Sequence, residues 1–181
     1  MLKWMIRRRL TAFEREYNYD VTYGRDILDA DLRAALAFNK FNAMAQYRRD
    51  IPADALTAAS LVATIAEDCG PCTQLVVTMA ERSGVPEPLI RAVIAGDERQ
   101  MTDAAKLAFR FAKATLAHDP AADALREEIE QRWGKRALIS LAFAITAGRV
   151  YPTVKYALGH GKACQRLMVG GVVTPVLKQA A

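Results

Sequence analysis

Apolar residues recur at three- and four-residue intervals along most of the chain, and that spacing predicts helices. In the first segment Leu2, Met5, Ile6, Leu10 and Phe13 share one face of a helix running to about residue 17. Trp4 and Arg7-Arg8-Arg9 make it amphipathic, suited to packing on the body of the protein or on another subunit. Residues 18–24 read as a polar, tyrosine-rich connector. A second helix is predicted over 29–47, with Leu32, Leu36, Phe38 and Met44 as core positions. Pro52 opens a third, with Asp50 near its cap, that runs through Leu56, Ala59, Val62, Ala63 and Ala66 to residue 68. The next helix spans 71–82 and stops at Ser83-Gly84. Pro86 starts a short one that ends before Gly96. Thr102 caps a helix over 103–117. Pro120 begins another in which Leu125, Ile129 and Trp133 repeat every four residues, and Gly134 ends it.

Residues 137–147 are apolar on nearly all sides. Such a helix is expected to be buried on every face, at the centre of a bundle or in an oligomer interface. Pro152 reads as a kink or restart, with helix continuing over 156–168. From Gly170 two glycines, a proline and adjacent valines predict an extended tail that could dock on a neighbour. The expected architecture is all-α: a helical extension at 1–49, one helical-bundle domain at 50–168 and a tail at 169–181.

Composition narrows the classes. Of 181 residues 52% are hydrophobic, which excludes wholesale disorder and allows one real core. The net charge of +5 is mild, and the one basic run, Arg7-Arg8-Arg9, stands beside no nucleic-acid-binding motif. Neither nucleic acid nor a membrane span is expected, because no apolar stretch of about 20 residues is free of charge. Three cysteines do not make a secreted disulfide framework, so the cytoplasm is the expected compartment.

The chemistry centres on Cys69-Gly70-Pro71-Cys72. Two thiols three positions apart can form and break a disulfide. Pro71 suits the first turn of a helix, where free backbone N–H groups and the helix dipole favour a thiolate at Cys72. The same pair could also be half of a zinc site completed by His160 and Cys164, which fall at i and i+4, or it could be structural. The zinc reading is weakened by the long stretch between Cys72 and His160. No cofactor and no metal are expected. Glu67 and Asp68 are the acids nearest the motif, and Thr73 and Gln74 could hydrogen-bond a thiolate or substrate. Of the two histidines, His118 precedes Asp119-Pro120 in a turn, and His160 lies between glycines.

The alanine-rich run Ala58-Ala59-Ser60-Leu61-Val62-Ala63, the CxxC, and then Gln74, Ala80, Gly84-Val85, Ile90-Arg91-Ala92-Val93 and 105–112 resemble the carboxymuconolactone decarboxylase / alkylhydroperoxidase D-like family over roughly residues 50–160. The resemblance implies a helical, usually oligomeric protein with thiol-dependent peroxidase or disulfide-reductase activity. It also implies Cys72 as the residue that attacks peroxide and Cys69 as the one that resolves it. The substrate would be a small-molecule peroxide or a protein disulfide, with an electron donor the sequence does not identify. The family's redox branch carries a glutamate twelve residues before the first cysteine and a histidine four after the second. Thr57 and Val76 stand there in this chain. The candidate catalytic set is therefore Cys72, Cys69, Glu67 and His160, with His160 the only imidazole placed to replace the missing one. The alternatives are a non-catalytic scaffold or binding module and, last, the lactone decarboxylase of the family name.

Overall fold

The computed structural model describes residues 1–162 and 166–176. Within them the chain forms α1 (Leu2–Tyr17), α2 (Thr22–Ala30), α3 (Leu32–Ala45), α4 (Ala53–Ala66), α5 (Gly70–Arg82), α6 (Glu87–Ala95), α7 (Asp103–Ala117), α8 (Ala121–Trp133) and α9 (Lys135–Ala157), with a 3-10 turn at Glu98–Gln100. Two short strands follow, β1 (Arg166–Val169) and β2 (Val172–Pro175). It is an all-α bundle with one small hairpin, as the periodicity predicts.

Helix α4 is the axis of the bundle, packed by α5, α6, α7 and α9. Its alanines make this possible. Ala55, Ala58, Ala59 and Ala63 are fully buried and let neighbouring backbones come close. One such close approach is to α9, where a Cβ placed on Gly148 would lie 2.5 Å from the Ala63 Cβ. The surrounding core is filled by Leu61, Val77, Ile90, Phe109, Phe111, Ile129, Leu141 and Ile145.

Several predicted boundaries move. The tyrosine-rich connector is half helix, because α2 begins at Thr22, and the second predicted helix breaks at Asp31, whose side chain accepts the Arg33 N–H as an N-cap. Pro152 does not interrupt α9, which runs unbroken for 23 residues. The helix ends at Ala157, followed by Gly159 with φ 78°, and Arg166–Val169 is a strand, so among the described residues the helix predicted over 156–168 does not continue past Ala157. Nor is α9 buried all round. Ala137, Leu141, Ile145 and Gly148 face the core, while Ile139 and Thr146 face outward. By length and composition α9 could cross a membrane. It instead packs on α4 and α8 and carries a buried lysine, and no clear membrane span is indicated.

The described part of the tail belongs to a hairpin. β1 and β2 pair antiparallel, Leu167 opposite Thr174, across Gly170-Gly171, both at positive φ as a two-residue turn of this hand requires. It docks on its own chain. Gln74 holds Met168 by two hydrogen bonds, its amide donating to the carbonyl (3.0 Å) and accepting from the N–H (2.8 Å), and Arg91 donates to the Val169 carbonyl (3.1 Å).

The first three helices form an arm. Neither α1 nor α3 has a buried residue. The arm's own small core is Tyr19, Val21 and Tyr23, packed by Leu10, Phe13, Ile27, Phe38 and, from the bundle, Leu75.

Candidate active site

The site forms where α4 gives way to α5. Asp68 takes a left-handed turn (φ 50°), which an aspartate tolerates better than most residues. Its N–H donates to the Ile65 carbonyl (3.0 Å) and that of Cys69 to Thr64 (3.4 Å), the paired bonds that close a helix C-terminus. Cys69, extended at φ −99° and ψ 93°, is then the residue preceding α5, and Pro71 sits in the first turn. The Gly70 N–H, which has no partner within the helix, donates to the Lys162 carbonyl at 3.0 Å. This geometry brings the Cys69 and Cys72 Cα atoms to 5.3 Å, and the two are joined as a disulfide. Both are buried, Cys69 completely and Cys72 to within 5%.

A second left-handed cap brings a group from the arm. Asn18 ends α1 at φ 49°, and the Tyr19 N–H donates to the Glu14 carbonyl (3.2 Å). Tyr19 is thereby turned inward, and its hydroxyl lies 3.8 Å from Cys72 Sγ. Behind it stands Lys155, 2% exposed and the largest fully buried side chain described. Its Nζ donates to the Tyr19 hydroxyl oxygen (3.3 Å) and sits 4.6 Å and 5.2 Å from the ring centroids of Tyr19 and Tyr23. Among the described residues it has no ion pair; Asp20, the acid that acts on it, bridges at 4.0 Å to Lys162 instead. Burial pushes the Lys155 amine below its ordinary value, against the pull of Asp20. Burial pushes the Tyr19 phenol well above its ordinary value and Tyr23 up to about 12, so both stay protonated through neutral pH.

The residues singled out from sequence are distributed unevenly around this centre. Cys69 and Cys72 come together. Glu67 caps α4 and accepts from Arg149 Nε at 2.8 Å, and His160 Nε2 lies 2.8 Å from Asp26 Oδ2; the hydrogen bonds of neither run to sulfur. Thr73 and Gln74, read as groups that could hydrogen-bond a thiolate or substrate, make other bonds in the disulfide form. The Thr73 hydroxyl donates to the Cys69 carbonyl (2.9 Å), and Gln74 holds the hairpin. Thr57 is buried within α4, and Val76 packs at the edge of the main core. His118 is a left-handed cap of α7. Cys164, the fourth member of the zinc alternative, lies outside the described residues. Among those that are described, no three His, Cys, Asp or Glu side chains cluster as metal ligands do.

Tyr19, Tyr23 and Lys155 are the residues sequence reasoning missed. Lys155 was legible: buried positions 141, 145, 148 and 152 of α9 fall at three- and four-residue steps, and 155 is the next. A lysine on a core face is rare enough to be a signal. Tyr19 was not, because its direction depends on the left-handed turn at Asn18. Comparisons with family models, with curated proteins and with solved structures return no match for this chain.

Proposed function

We propose that the protein is a thiol–disulfide oxidoreductase that reduces hydroperoxides at Cys69 and Cys72. The observation that carries this reading is the disulfide itself, closed across the first turn of α5. Thiols in that position are favoured as thiolates by the helix start. The resemblance to the alkylhydroperoxidase D-like family assigns the roles. The Cys72 thiolate attacks the peroxide, forming an S–O bond as the O–O bond breaks and an alcohol or water leaves. The Cys69 thiol then displaces water from the Cys72 sulfenic acid, closing the disulfide. A dithiol donor restores both thiols, in keeping with a reducing cytoplasm. The exposed Leu2, Trp4, Met5, Leu36 and Phe41 of α1 and α3 favour assembly with further copies.

A second reading rests on a specific observation. Thr57 and Val76 replace the family's proton-handling residues, and both cysteines are buried, which suits a scaffold whose disulfide is structural. Peroxide turnover separates the two. The reduced protein treated with hydroperoxide and a dithiol donor should consume peroxide through repeated cycles. Peptide mapping after one cycle should show the Cys69–Cys72 disulfide re-formed. A single closure with no turnover under excess donor would establish the scaffold instead.

A further inference from the structure

The Tyr19 hydroxyl bridges two groups that can exchange protons, the Cys72 sulfur and the Lys155 amine. A disulfide sulfur carries no proton, so in the contact between Tyr19 and Cys72 the phenol O–H is the donor and Sγ the acceptor. The Lys155 amine lies against the same hydroxyl oxygen, where it donates when protonated and, as a neutral amine, can also accept. Lys155 Nζ and Cys72 Sγ thus flank the Tyr19 hydroxyl at 3.3 Å and 3.8 Å, and Tyr23 is a further hydrogen-bond partner of that hydroxyl. The chain runs from a buried amine through a phenol to the sulfur that the resemblance marks as the attacker. No carboxylate interrupts it. Other charged or titratable groups near Lys155 are Tyr23, Tyr151, Asp20 and Lys162. Burial holds the phenols of Tyr23 and Tyr151 above their ordinary value, while Thr22 hydrogen bonds hold Asp20 below its own. None of these three changes charge near neutral pH.

We propose that Tyr19 and Lys155 form the proton relay of Cys72, with Tyr19 the catalytic donor to sulfur and to the departing peroxide oxygen and Lys155 the residue that positions and recharges it. The proposal rests on the hydroperoxide reading and supplies what Thr57 and Val76 cannot. In the reduced enzyme the Cys72 proton passes by way of Tyr19 to Lys155, leaving a thiolate beside an ammonium. When the thiolate takes the outer oxygen of the peroxide, the alkoxide that leaves takes the Tyr19 proton and departs as alcohol. Lys155 returns its proton to Tyr19 and becomes neutral. Cys69–SH then condenses with Cys72–SOH, releasing water and closing the disulfide. A dithiol donor becomes a disulfide as it restores both thiols, and the new Cys72 proton recharges Lys155. Each turn oxidises one dithiol and reduces one peroxide to alcohol and water. An amine held below its ordinary range by burial is suited to alternate between these two states.

The test is the ionisation of Cys72, followed by the ultraviolet absorbance of its thiolate in a Cys69→Ser, Cys164→Ser background where it is the only thiol. Lys155→Met should raise the midpoint by about one unit, leaving about tenfold less thiolate at pH well below it. Tyr19→Phe, which keeps the ring and its packing, should shift it the same way by less. Lys155→Arg, which keeps the charge and a donor, should restore most of the parent value. Peroxide turnover of the same substitutions in the full Cys69, Cys72 protein should fall in the same order. Unmoved midpoints in both Lys155→Met and Tyr19→Phe, with helicity intact, would overturn the relay even if the parent turns over peroxide. A parent without turnover whose midpoint still moves with Lys155 would sink the peroxidase reading while the relay stands.

Discussion

Helices α1 and α4 are of similar length, 16 and 14 residues, yet seven residues of α4 are buried and none of α1. The contrast extends to the regions they belong to. The bundle around α4 is a continuous apolar core, whereas the arm of α1 to α3 is held by a few aromatic rings and a set of surface ion pairs. Arg82 pairs with Glu16 (3.1 Å), Arg7 with Asp29, and His160 with Asp26. The more weakly held region nevertheless brings the phenol that touches Cys72. Segments at the low end of local stability are those that can open without unfolding the rest. On the proposed oxidoreductase function the buried disulfide must meet a donor, and that needs such a segment over it. The division therefore reads as a rigid platform that fixes the two sulfurs and a lighter cover that sets the Tyr19 phenol against one of them.

The sharpest way to break this comparison is to cut the same cavity in each region. Leu141 and Leu28 are both fully buried, one in the bundle and one in the arm. Leu141→Ala should cost about 2–5 kcal/mol of global stability, the usual range for such a deletion in a tight core. Leu28→Ala should leave the main thermal transition nearly in place and instead speed reduction of the Cys69–Cys72 disulfide by dithiothreitol, because the loss falls on the arm's own opening equilibrium. If Leu28→Ala lowers the melting temperature as far as Leu141→Ala does, arm and bundle are one cooperative unit and the platform-and-cover reading is wrong.

An alkaline titration separates the regions by charge. Tyr23 has a folded value of about 12 against an ordinary 10, so the folded protein keeps its proton longer than the unfolded chain. The stability from a raised acid is fully present below pH 10 and is lost as pH rises toward 12. One proton over that interval amounts to about 2–3 kcal/mol. Tyr19 adds a loss of the same sign. Lys155 acts in the opposite sense: its lowered amine makes burial cheaper as pH rises toward the ordinary lysine value. The arm should therefore loosen above pH 10 while α4 to α9 remain helical, as hydrogen exchange or limited proteolysis at stepped pH would record. Tyr23→Phe should blunt the alkaline loss. Simultaneous loss of arm and bundle protection would contradict the assignment.

The same contrast explains what the sequence made legible. The bundle helices read well because each carries a complete apolar stripe, and because proline and glycine punctuate them at Pro52, Pro86, Gly96, Pro120 and Gly134. The cysteines read well because CxxC at a helix start is local chemistry. The hairpin was legible only as extended chain, since its pairing depends on Gly170-Gly171 and on Gln74, far away in sequence. Pro152 does not restart the chain, because α9 is held as one helix by its packing on neighbouring helices. Glu67 and His160 were singled out for proximity or for chemical type. Arg149 and Asp26, which engage them, come from elements whose placement only the fold reveals. The relay was missed for a related reason. Tyr19 and Lys155 are separated by most of the chain, and neither belongs to a motif.

The smallest effect worth measuring is at the outer edge of the arm. Arg82, in the last turn of α5, donates to Glu16 Oε1 and to the Glu16 carbonyl, and its guanidinium lies 4.6 Å from the Tyr17 ring centroid. Both members of the ion pair are about half exposed, so water screens them, and such pairs are worth about 0–1 kcal/mol. The cation–π contact adds roughly 0.5–1 kcal/mol. Arg82→Gln should therefore raise the open fraction of the arm by up to about tenfold, which conversion by RT gives for some 1.4 kcal/mol. Helix α5 keeps its core contacts through Val77 and Ala80 on another face, so the bundle's melting temperature should not change. Disulfide reduction should quicken in proportion to the opening. Raising salt should reproduce part of the effect in the parent and little of it in Arg82→Gln, because screening removes only the ion pair. Equal salt sensitivity in the two proteins would show that the arm is latched elsewhere, with Asp26–His160 the next pair to cut.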